Sequence, residues 1–338
     1  MNPSDEAGRQ ARAVMAQAWW PAESCAPLGN GHIHGTWLVT GGRGRAVLQQ
    51  ISTAVFTDPA ALMARVAAVL KHLGREVRHT DILLPELIPT RQGSAWHAAT
   101  DGTHWRLWTY IGAARTLETL ASPEQAEAAG RAFGQLQSAL ADATLLAPDP
   151  IPGFMQLDHY LGRLDAAAAA GSEPSSKERE LLQGIHARRD LAGSFGQREQ
   201  VIHGDCKVNN LLFADGSTTA VRAVLDLDTV MHGHWAWDAG DLVRSAAAGP
   251  NGFALDRFAG VVRGLRESAG IHAAPEVWVR APRYVTLMLV VRFLTDHLEG
   301  DRYFRVERRG ENLERAAAQW RLLLEMEQAA DAMAAAIA

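Results

Sequence analysis

The sequence predicts an α+β protein of two lobes, in which an antiparallel sheet with one helix is followed by a mainly helical lobe. Three observations lead to this prediction. A chain of 338 residues is long for one compact core. Short apolar runs separated by turn residues fill its first third, and helical periodicity dominates from residue 123 onward. We therefore expect an N-terminal lobe over residues 1–111 and a C-terminal lobe over residues 112–338.

The strands expected in the first lobe are apolar runs bounded by turn residues. They span residues 33–40, 45–51, 82–84, 94–99 and 105–111. One helix interrupts them, beginning at Asp58 and Pro59 and carrying apolar residues at a 3.6-residue spacing as far as Leu73. A further helix precedes the strands at the N-terminus. Together these elements predict a lobe built from an antiparallel sheet and an interrupting helix.

The second lobe is predicted to be mainly helical because apolar residues recur there with helical spacing. The predicted helices span residues 123–141, 154–170, 175–192, 255–269, 275–299 and 311–335. Between the lobes, residues 110–113 leave the last strand and include the flexible Gly112, so this segment is the expected hinge. A hinge between two lobes predicts a cleft between them.

Composition excludes several classes of protein. With 47% apolar and 21% charged residues the chain is neither disordered nor fibrous, and a net charge of −5 argues against a nucleic-acid partner. Two cysteines cannot form a disulfide framework. No export signal is evident, and the longest apolar stretch, residues 285–291, is too short to span a bilayer. We expect a cytoplasmic protein without a membrane partner.

A polar loop between two apolar runs, in residues 201–213, carries the residue types that phosphoryl transfer needs. A carboxylate must take the proton of the acceptor hydroxyl, and Asp205 suits this role. An amide oxygen and a second carboxylate must hold Mg²⁺, and Asn210 and Asp226 suit that role. Lys207 can neutralise charge on the transferred phosphoryl group. The sequence therefore predicts phosphotransfer at this loop.

The order and spacing of these residues match a motif pair of protein kinases. The spacing from His203 through Asp205 to Asn210 is that of their catalytic loop. Asp226 then stands where their metal-binding aspartate follows. The alternative is a tight turn, a pair of turn formers and a helix cap at Asp226 to Asp228, which explains each residue but not their joint order. We expect His203 to brace the loop and not to act as the base.

Several further motifs resemble those of one family. They are GNGHIH (29–34), VLQQI (47–51), LDLDTVM (225–231), RFLTDHLEGDRYF (292–304) and LEMEQ (324–328). With the catalytic loop, they resemble the aminoglycoside phosphotransferase and choline kinase superfamily, and within it the bacterial N-acetylhexosamine kinases. The resemblance runs from about residue 29 to residue 328. It implies a protein-kinase-like bilobal fold.

The resemblance also implies roles for the catalytic loop. Asp205 would be the catalytic base, with Lys207 beside it, and Asn210 and Asp226 would be the Mg²⁺ ligands. Asp238 would brace the loop from a following helix. The alternative for Asp238 is a plain helix cap, because the residues after it read as the start of a helix.

The activity that the resemblance implies is the ATP- and Mg²⁺-dependent phosphorylation of N-acetylglucosamine or N-acetylgalactosamine at the anomeric hydroxyl. The expected partners are therefore ATP and a small sugar. Three alternatives remain from the sequence: a sugar 6-kinase, another small-alcohol kinase of the aminoglycoside or choline type, and a nucleotide-binding pseudokinase.

The chain departs from protein kinases where their third strand carries a lysine. Gln49 stands at that place, and the helix over residues 59–73 has no glutamate that could pair with a lysine. The candidates for holding the nucleotide phosphates are Gln49, Lys207 and the backbone N–H groups of residues 29–35. The predicted nucleotide-binding residues are Gly31, His32, Gln49, Tyr110 and Ile111.

Two arginines lie nine residues apart on the apolar helix over residues 275–299. Arg283 and Arg292 must each find a partner or water there, because a charged group within an apolar stretch is costly. One interpretation is a salt bridge to Asp296 or Glu299, four and seven residues after Arg292. The mixture of basic and acidic residues in this region favours a neutral sugar over a polycationic aminoglycoside.

The resemblance to hexosamine kinases implies that the same region binds the acceptor. It implies that Arg292 and Tyr303 contact the sugar, with Asp301 nearby, and that Asp228 is a second carboxylate near the metal or the sugar. An arginine donates well to hydroxyl and carbonyl oxygens, and a tyrosine adds an apolar face and an O–H group.

Overall fold

A computed structural model describes residues 3–29, 33–76, 80, 82–145, 148–171, 173–196, 200–250 and 252–338. The chain divides into two compact units, Met1–Lys71 with Leu84–Gly112 and His72–Leu83 with Ala113–Ala338. Residues 72–83, which the sequence assigned to the first lobe, thus cluster with the second unit. The reason is hydrogen bonding, since His72 Nε2 donates to the carbonyl oxygen of Ala139 (2.8 Å) and the N–H of Leu83 to that of Arg222 (2.8 Å).

The first unit is an antiparallel sheet with two helices. Its elements are α1 (Pro3–Ala18), β1 (Ser24–Pro27), β2 (Gly35–Gly41), β3 (Gly44–Gln50), most of α2 (Pro59–Glu76), β4 (His97–Ala98) and β5 (His104–Thr109). The described strands follow the order β1-β2-β3-β5-β4, and each neighbouring pair is antiparallel. One face of α1 packs on the sheet, where Met15, Leu48 and Trp105 are fully buried.

The predicted strands are confirmed where apolar alternation is long. The first, second and last of them correspond to β2, β3 and β5. The strand expected over residues 94–99 shortens to β4, and residues 82–84 do not join this sheet. Leu83 instead forms an isolated bridge to Ala223, because its carbonyl and N–H groups bond to Val224 and Arg222 of the second unit.

The second unit is mainly helical, with two small sheets. Its elements are β6 (Ala114–Arg115), α3 (Pro123–Leu140), α4 (Leu157–Ala170), α5 (Ser176–His186), β7 (Gln200–Ile202), β8 (Leu211–Ala214), β9 (Val221–Val224), β10 (Met231–Gly233), α6 (Trp235–Ala247), α7 (Leu255–Ala269), α8 (Pro275–Leu298), α9 (Glu311–Gln328) and α10 (Ala330–Ala336). The sheets have the orders β6-β8-β9 and β10-β7. The predicted helices are confirmed, except that two of them are broken near their C-terminal ends.

The first break follows α5, where the N–H of Arg188 bonds to the carbonyl of Ile185 and a short 3₁₀ helix, Arg189–Gly193, continues the chain. The second separates α9 from α10 at Ala329. Helices α4, α5, α8 and α9 share a core in which they bury their apolar faces. No helix within the described ranges is both long enough and apolar enough to cross a membrane.

Glycine allows α6 to approach α8 closely. A Cβ on Gly240 would lie 2.4 Å from the carbonyl oxygen of Ala281, a distance that no side chain tolerates. The two helices that carry Asp238 and Asp296 are therefore held directly against each other. These two aspartates anchor the loops described next.

Candidate active site

The polar loop over residues 203–210 is held between two short strands. Strand β7 before it pairs with β10, and β8 after it pairs with β9, so buried apolar residues define both of its ends. Within the loop, Gly204 has a φ of +82°, and a Cβ there would lie 2.6 Å from the carbonyl oxygen of Thr229. The turn therefore requires glycine at this position.

The predicted base lies in a compact polar cluster. Lys207 Nζ is 2.7 Å from Asp205 Oδ2, and Asn210 Nδ2 donates to the same oxygen (2.9 Å) and to the Asp205 backbone carbonyl (2.8 Å). Burial raises the pKa of the Asp205 carboxyl, but the Lys207 ammonium and the Asn210 hydrogen bond outweigh it, so the pKa lies below its ordinary value. Asp205 is thus held as a carboxylate able to accept a proton.

His203 braces the loop, in agreement with its sequence interpretation. Its Nδ1 accepts the N–H of Asp205 (3.2 Å), and its Nε2 therefore donates to the carbonyl of Leu225 (3.0 Å). The N–H of Leu225 in turn bonds to the carbonyl of Asn210 (2.8 Å). Both ring nitrogens bond to the backbone, so neither is left to take a proton from a substrate.

Asp238 holds the same loop from α6. Its carboxylate, 5% exposed, accepts the N–H groups of His203 and Gly204, each at 2.8 Å. Burial raises the pKa of Asp238. The helix-cap alternative is wrong, because α6 begins earlier and His234 Nδ1 caps it by accepting the N–H of Ala236 (3.1 Å).

The two predicted Mg²⁺ ligands, Asn210 and Asp226, each have a side-chain oxygen atom that could bind a cation. Both side-chain hydrogen bonds of Asn210 use Nδ2, which leaves its Oδ1 as the atom that a cation would use. Asp226 follows β9 with a φ of +63°, and its charge helps to raise the pKa of Lys207. Asp228, 1% exposed, lies in the next turn.

This donor set fits a Mg²⁺ ion, which prefers oxygen and is commonly held by one or two protein ligands together with phosphates and water. Over the described part of the chain, no group of three or more His, Cys, Asp or Glu residues is arranged to hold a metal by itself. The oxygen atoms of Asn210 and Asp226 would suit an ion that phosphates and water also coordinate.

A cavity opens between α4 and α8 in the second unit. The residues that line it include Tyr160, Arg163, Arg292, Thr295, Tyr303 and Phe304. Two of them, Arg292 and Tyr303, are the acceptor-binding residues that the resemblance implies, and they meet at 3.3 Å from Nη2 to the phenol oxygen.

The guanidinium of Arg292 lies among aromatic rings. Four ring centroids are 5.2–5.4 Å from its central carbon, within the range of a cation–π interaction. The rings belong to Phe154, Tyr160, Tyr303 and Phe304. The sequence did not identify Phe154 or Tyr160, because an aromatic residue on an amphipathic segment has the same pattern as a core residue.

The salt-bridge interpretation of Arg292 is wrong. Arg292 forms no ion pair with a carboxylate of any described residue. Asp296 accepts backbone N–H groups instead, and Glu299 pairs with Arg163 (2.8 Å). Burial lowers the pKa of Arg292, but Tyr160 and Asp205 contribute to a larger increase, so the pKa is raised overall.

Two residues assigned to the acceptor region lie elsewhere. Arg283 is 3.5 Å from Glu327, which also pairs with Arg188, and it does not line the cavity. Asp301 has both oxygens occupied, one by Arg309 (2.7 Å) and one by Asn312 (2.9 Å). Asp301, which was expected near the sugar and among the substrate-binding residues, has a side chain that is only 5% exposed and does not line the cavity.

The predicted nucleotide-binding residues belong to the first unit. Gly31 and His32 lie outside the described residues. Gln49 Oε1 accepts Arg106 Nε (3.0 Å) and Trp108 Nε1 (2.7 Å), so its amide oxygen is committed to the sheet. Tyr110 and Ile111 follow β5, and Arg45 lies 4.3 Å over the Tyr110 ring. A nucleotide role for these residues stays a prediction.

The sequence also matches a family of known enzymes. The model of the phosphotransferase enzyme family matches residues 24–271, which is more than half of the chain. The chain therefore belongs to the phosphotransferase enzyme family. This confirms the superfamily that the motifs indicated.

Solved structures of similar fold cover almost the whole chain. A choline/ethanolamine kinase family protein from Mesorhizobium loti is 17% identical, with a TM-score of 0.61 over 99% of this chain and 98% of that chain. A microcompartment-associated aminopropanol kinase is 18% identical, with a TM-score of 0.68 over 98% of both. A spectinomycin phosphotransferase, solved with ADP and spectinomycin, is 10% identical, with a TM-score of 0.63 over 96% of this chain and 98% of that chain. These likenesses show the fold, which is the predicted protein-kinase-like one.

Proposed function

We propose that this phosphotransferase transfers the γ-phosphoryl group of ATP, with Mg²⁺, to N-acetylglucosamine or N-acetylgalactosamine at the anomeric hydroxyl. One observation carries the proposal: Lys207 and Asn210 hold the Asp205 carboxylate in a loop with kinase-type spacing, and Arg292 and Tyr303 meet in a cavity of the same unit. A proton acceptor and a polar recognition group are therefore both available in this unit. The resemblance of residues 292–304 to hexosamine kinases supports the sugar.

In this proposal the oxygen of the acceptor hydroxyl attacks the γ-phosphorus of ATP while Asp205 accepts the proton of that hydroxyl. The bond between the γ-phosphorus and the oxygen that leaves with ADP breaks. The lowered pKa of Asp205 keeps it ionised for this step. Asn210 Nδ2 orients the carboxylate, and the Lys207 ammonium beside it offsets negative charge on the transferred group. Positioning and charge neutralisation are the main contributions that a phosphotransferase makes.

Asn210 and Asp226 would hold the Mg²⁺ ion, and Asp228 would be the second carboxylate near it. When bound, the ion neutralises charge on the nucleotide phosphates. The protein residues keep two tasks of their own. Asn210 orients Asp205 by donating a hydrogen bond from its amide nitrogen, and the Lys207 ammonium forms an ion pair with the same carboxylate.

The cavity suits a neutral polar acceptor. Arg292 can donate to hydroxyl and N-acetyl carbonyl oxygens, and the rings of Tyr160 and Tyr303 offer apolar faces to a sugar. An acceptor with an ammonium group would meet the positive guanidinium, which no described carboxylate neutralises by an ion pair. Neutral acetamido sugars are therefore favoured over amines.

The test is an acceptor panel with ATP and Mg²⁺, with the product identified by phosphorus NMR. The panel contains N-acetylglucosamine, N-acetylgalactosamine, glucosamine, choline and an aminoglycoside, and the methyl glycoside of N-acetylglucosamine is the matched control. We expect turnover of the free acetamido sugars, loss of their reducing end and no reaction of the methyl glycoside.

Each alternative gives a different result in the same panel. Phosphorylation of the methyl glycoside would identify a 6-kinase. Turnover of choline or the aminoglycoside alone would identify another small-alcohol kinase. Nucleotide binding without turnover of any acceptor would identify a pseudokinase. Any of these three results would overturn the proposed function.

A further inference from the structure

The segment after α8 turns back along that helix. Gly300 and Asp301 both have left-handed backbone conformations, with φ values of +95° and +58°. The N–H of Asp301 returns to the carbonyl of Asp296 (2.8 Å), and the following residues run alongside the cavity. A left-handed conformation is uncommon for a residue with a side chain and persists where surrounding contacts hold it.

Those contacts centre on the carboxylate of Asp296, which is 3% exposed. Its Oδ1 accepts the N–H groups of Arg302 (2.8 Å) and Tyr303 (2.7 Å), and its Oδ2 accepts the N–H of Phe304 (2.9 Å). Hydrogen bonds to a carboxylate are stronger than those between neutral groups. One side chain of α8 therefore fixes three consecutive residues of the segment.

Asn312, at the start of α9, extends this arrangement. It is fully buried, and its Nδ2 donates to Asp296 Oδ2 (2.8 Å) and to Asp301 Oδ1 (2.9 Å). Arg309 closes the other side by donating to Asp301 and to the carbonyl of His297 (2.6 Å). The segment is thus tied to the end of α8 and to the beginning of α9.

The residues held in this way are those that surround Arg292. Tyr303 reaches its guanidinium with the phenol oxygen and the ring, and Phe304 covers it while packing on Phe293 at 4.6 Å between ring centroids. Misplacing the backbone of residues 302–304 would therefore alter the cavity even though every side chain that lines it is still present.

We propose that Asp296, assisted by Asn312, is a positioning residue for the acceptor: it sets the backbone of residues 302–304 so that Tyr303 and Phe304 complete the pocket around Arg292. This inference rests on the proposed function for the identity of the acceptor. Although Asp296 borders the cavity, its oxygens are occupied by the segment, so it acts through Tyr303 and not by binding the acceptor.

The kinetic test uses Asp296→Asn, in which an NH₂ group replaces one oxygen and faces backbone N–H donors. We expect the KM for the acceptor to rise by about tenfold to hundredfold, with the KM for ATP unchanged, because small displacements of positioning groups have effects of this size. The matched control is Asp165→Asn, which removes an exposed carboxylate paired with Arg189 and should change neither KM.

A double-mutant cycle separates positioning from direct binding. If Asp296 acts through Tyr303, then Asp296→Asn adds little to the acceptor KM of Tyr303→Ala, which lacks both the phenol oxygen and the ring. Additive effects would mean that Asp296 contacts the acceptor itself and would overturn the inference. A fall in unfolding temperature with both KM values unchanged would overturn it as well, since that is the result of a merely structural role.

A spectroscopic test needs no substrate. The chain has four tyrosines, so the protein labelled with 3-fluorotyrosine gives few fluorine signals, and the loss of one in Tyr303→Phe assigns Tyr303. We expect Asp296→Asn to shift or broaden the Tyr303 signal and leave that of Tyr110 unchanged. An unmoved Tyr303 signal would overturn the inference.

The two proposals fail separately. A wild-type protein inactive on acetamido sugars contradicts the proposed function, whereas an active wild type with an unaltered acceptor KM in Asp296→Asn contradicts the positioning role. If Asp296→Asn does not fold, Asn312→Ala removes a single donor from the same carboxylate. We expect the same selective rise in the acceptor KM from that variant, and its absence would contradict the inference.

Discussion

The catalytic loop and the segment after α8 are anchored in the same way. Each receives a buried carboxylate from a neighbouring helix, Asp238 from α6 and Asp296 from α8. Each carboxylate accepts consecutive backbone N–H groups of its loop, at 2.7–2.9 Å. A loop that must present side chains at fixed positions is thus held by its backbone, which leaves those side chains for function.

The two loops differ in how they treat charge. In the catalytic loop Asp205 is paired with Lys207, whereas Arg292 beside the other loop meets aromatic rings and no described carboxylate. The pairing keeps a base ionised, and the rings leave a cation able to bind neutral oxygen atoms. Under the proposed function, the first loop carries the chemistry and the second carries the recognition of the acceptor.

The largest expected effect comes from Asp205→Asn. We expect kcat to fall by about 10²–10⁴, because the amide cannot accept the proton that the carboxylate takes. Affinity for ATP, measured by calorimetry, should hardly change, since the amide keeps the shape of the side chain. Turnover close to wild type would contradict the assignment of chemistry to this loop.

Arg292→Met tests the recognition side. The KM for the acceptor should rise by about tenfold to hundredfold, and the KM for ATP should stay constant, because only the acceptor meets this guanidinium. Arg188→Met is a matched control, since Arg188 also lies over a ring, that of Trp320 at 4.7 Å, but away from the cavity. Equal changes in both KM values would remove the distinction between the loops.

Asp238→Asn tests whether the two anchors have separate consequences. We expect kcat to fall by roughly tenfold to hundredfold while the acceptor KM is retained, because the N–H groups of His203 and Gly204 lose their acceptor and Asp205 shifts with them. Steady-state kinetics beside those of Asp296→Asn measure the split. A rise in the acceptor KM alone would show that the anchors are not specific to their loops.

The smallest expected effect is on the metal. Asp226→Asn should raise the Mg²⁺ concentration for half-maximal rate by roughly tenfold or more, because it removes a charged oxygen ligand from a hard cation. A Mg²⁺ titration at fixed ATP measures this, with Asp215→Asn as a control on the exposed turn after β8. An unchanged titration curve would place the metal elsewhere.

Local pattern was sufficient for much of the fold. The 3.6-residue spacing predicted α3, α7 and α8 to within about a residue or two, because each helix buries one face whatever it packs against. The polar cluster of Asp205, Lys207 and Asn210 was predictable in the same way, since these residues are close together in the chain. A single loop between two apolar strands leaves few ways to arrange them.

Choices between partners needed the tertiary structure. The sequence placed Arg283 and Arg292 on one helix with the same acidic neighbours. In the structure, Arg283 pairs with Glu327, whereas Arg292 contacts aromatic rings from α4 and from the segment after α8. Asp296 likewise turned from a salt-bridge partner into the anchor of a loop. The periodicity of apolar residues predicts which face of a helix is buried. It does not predict which residues pack against that face, because those residues are often more than a hundred positions away in the chain. The family and the polar loop that carries Asp205 could therefore be predicted from the sequence, whereas the cavity around Arg292 was decided by packing.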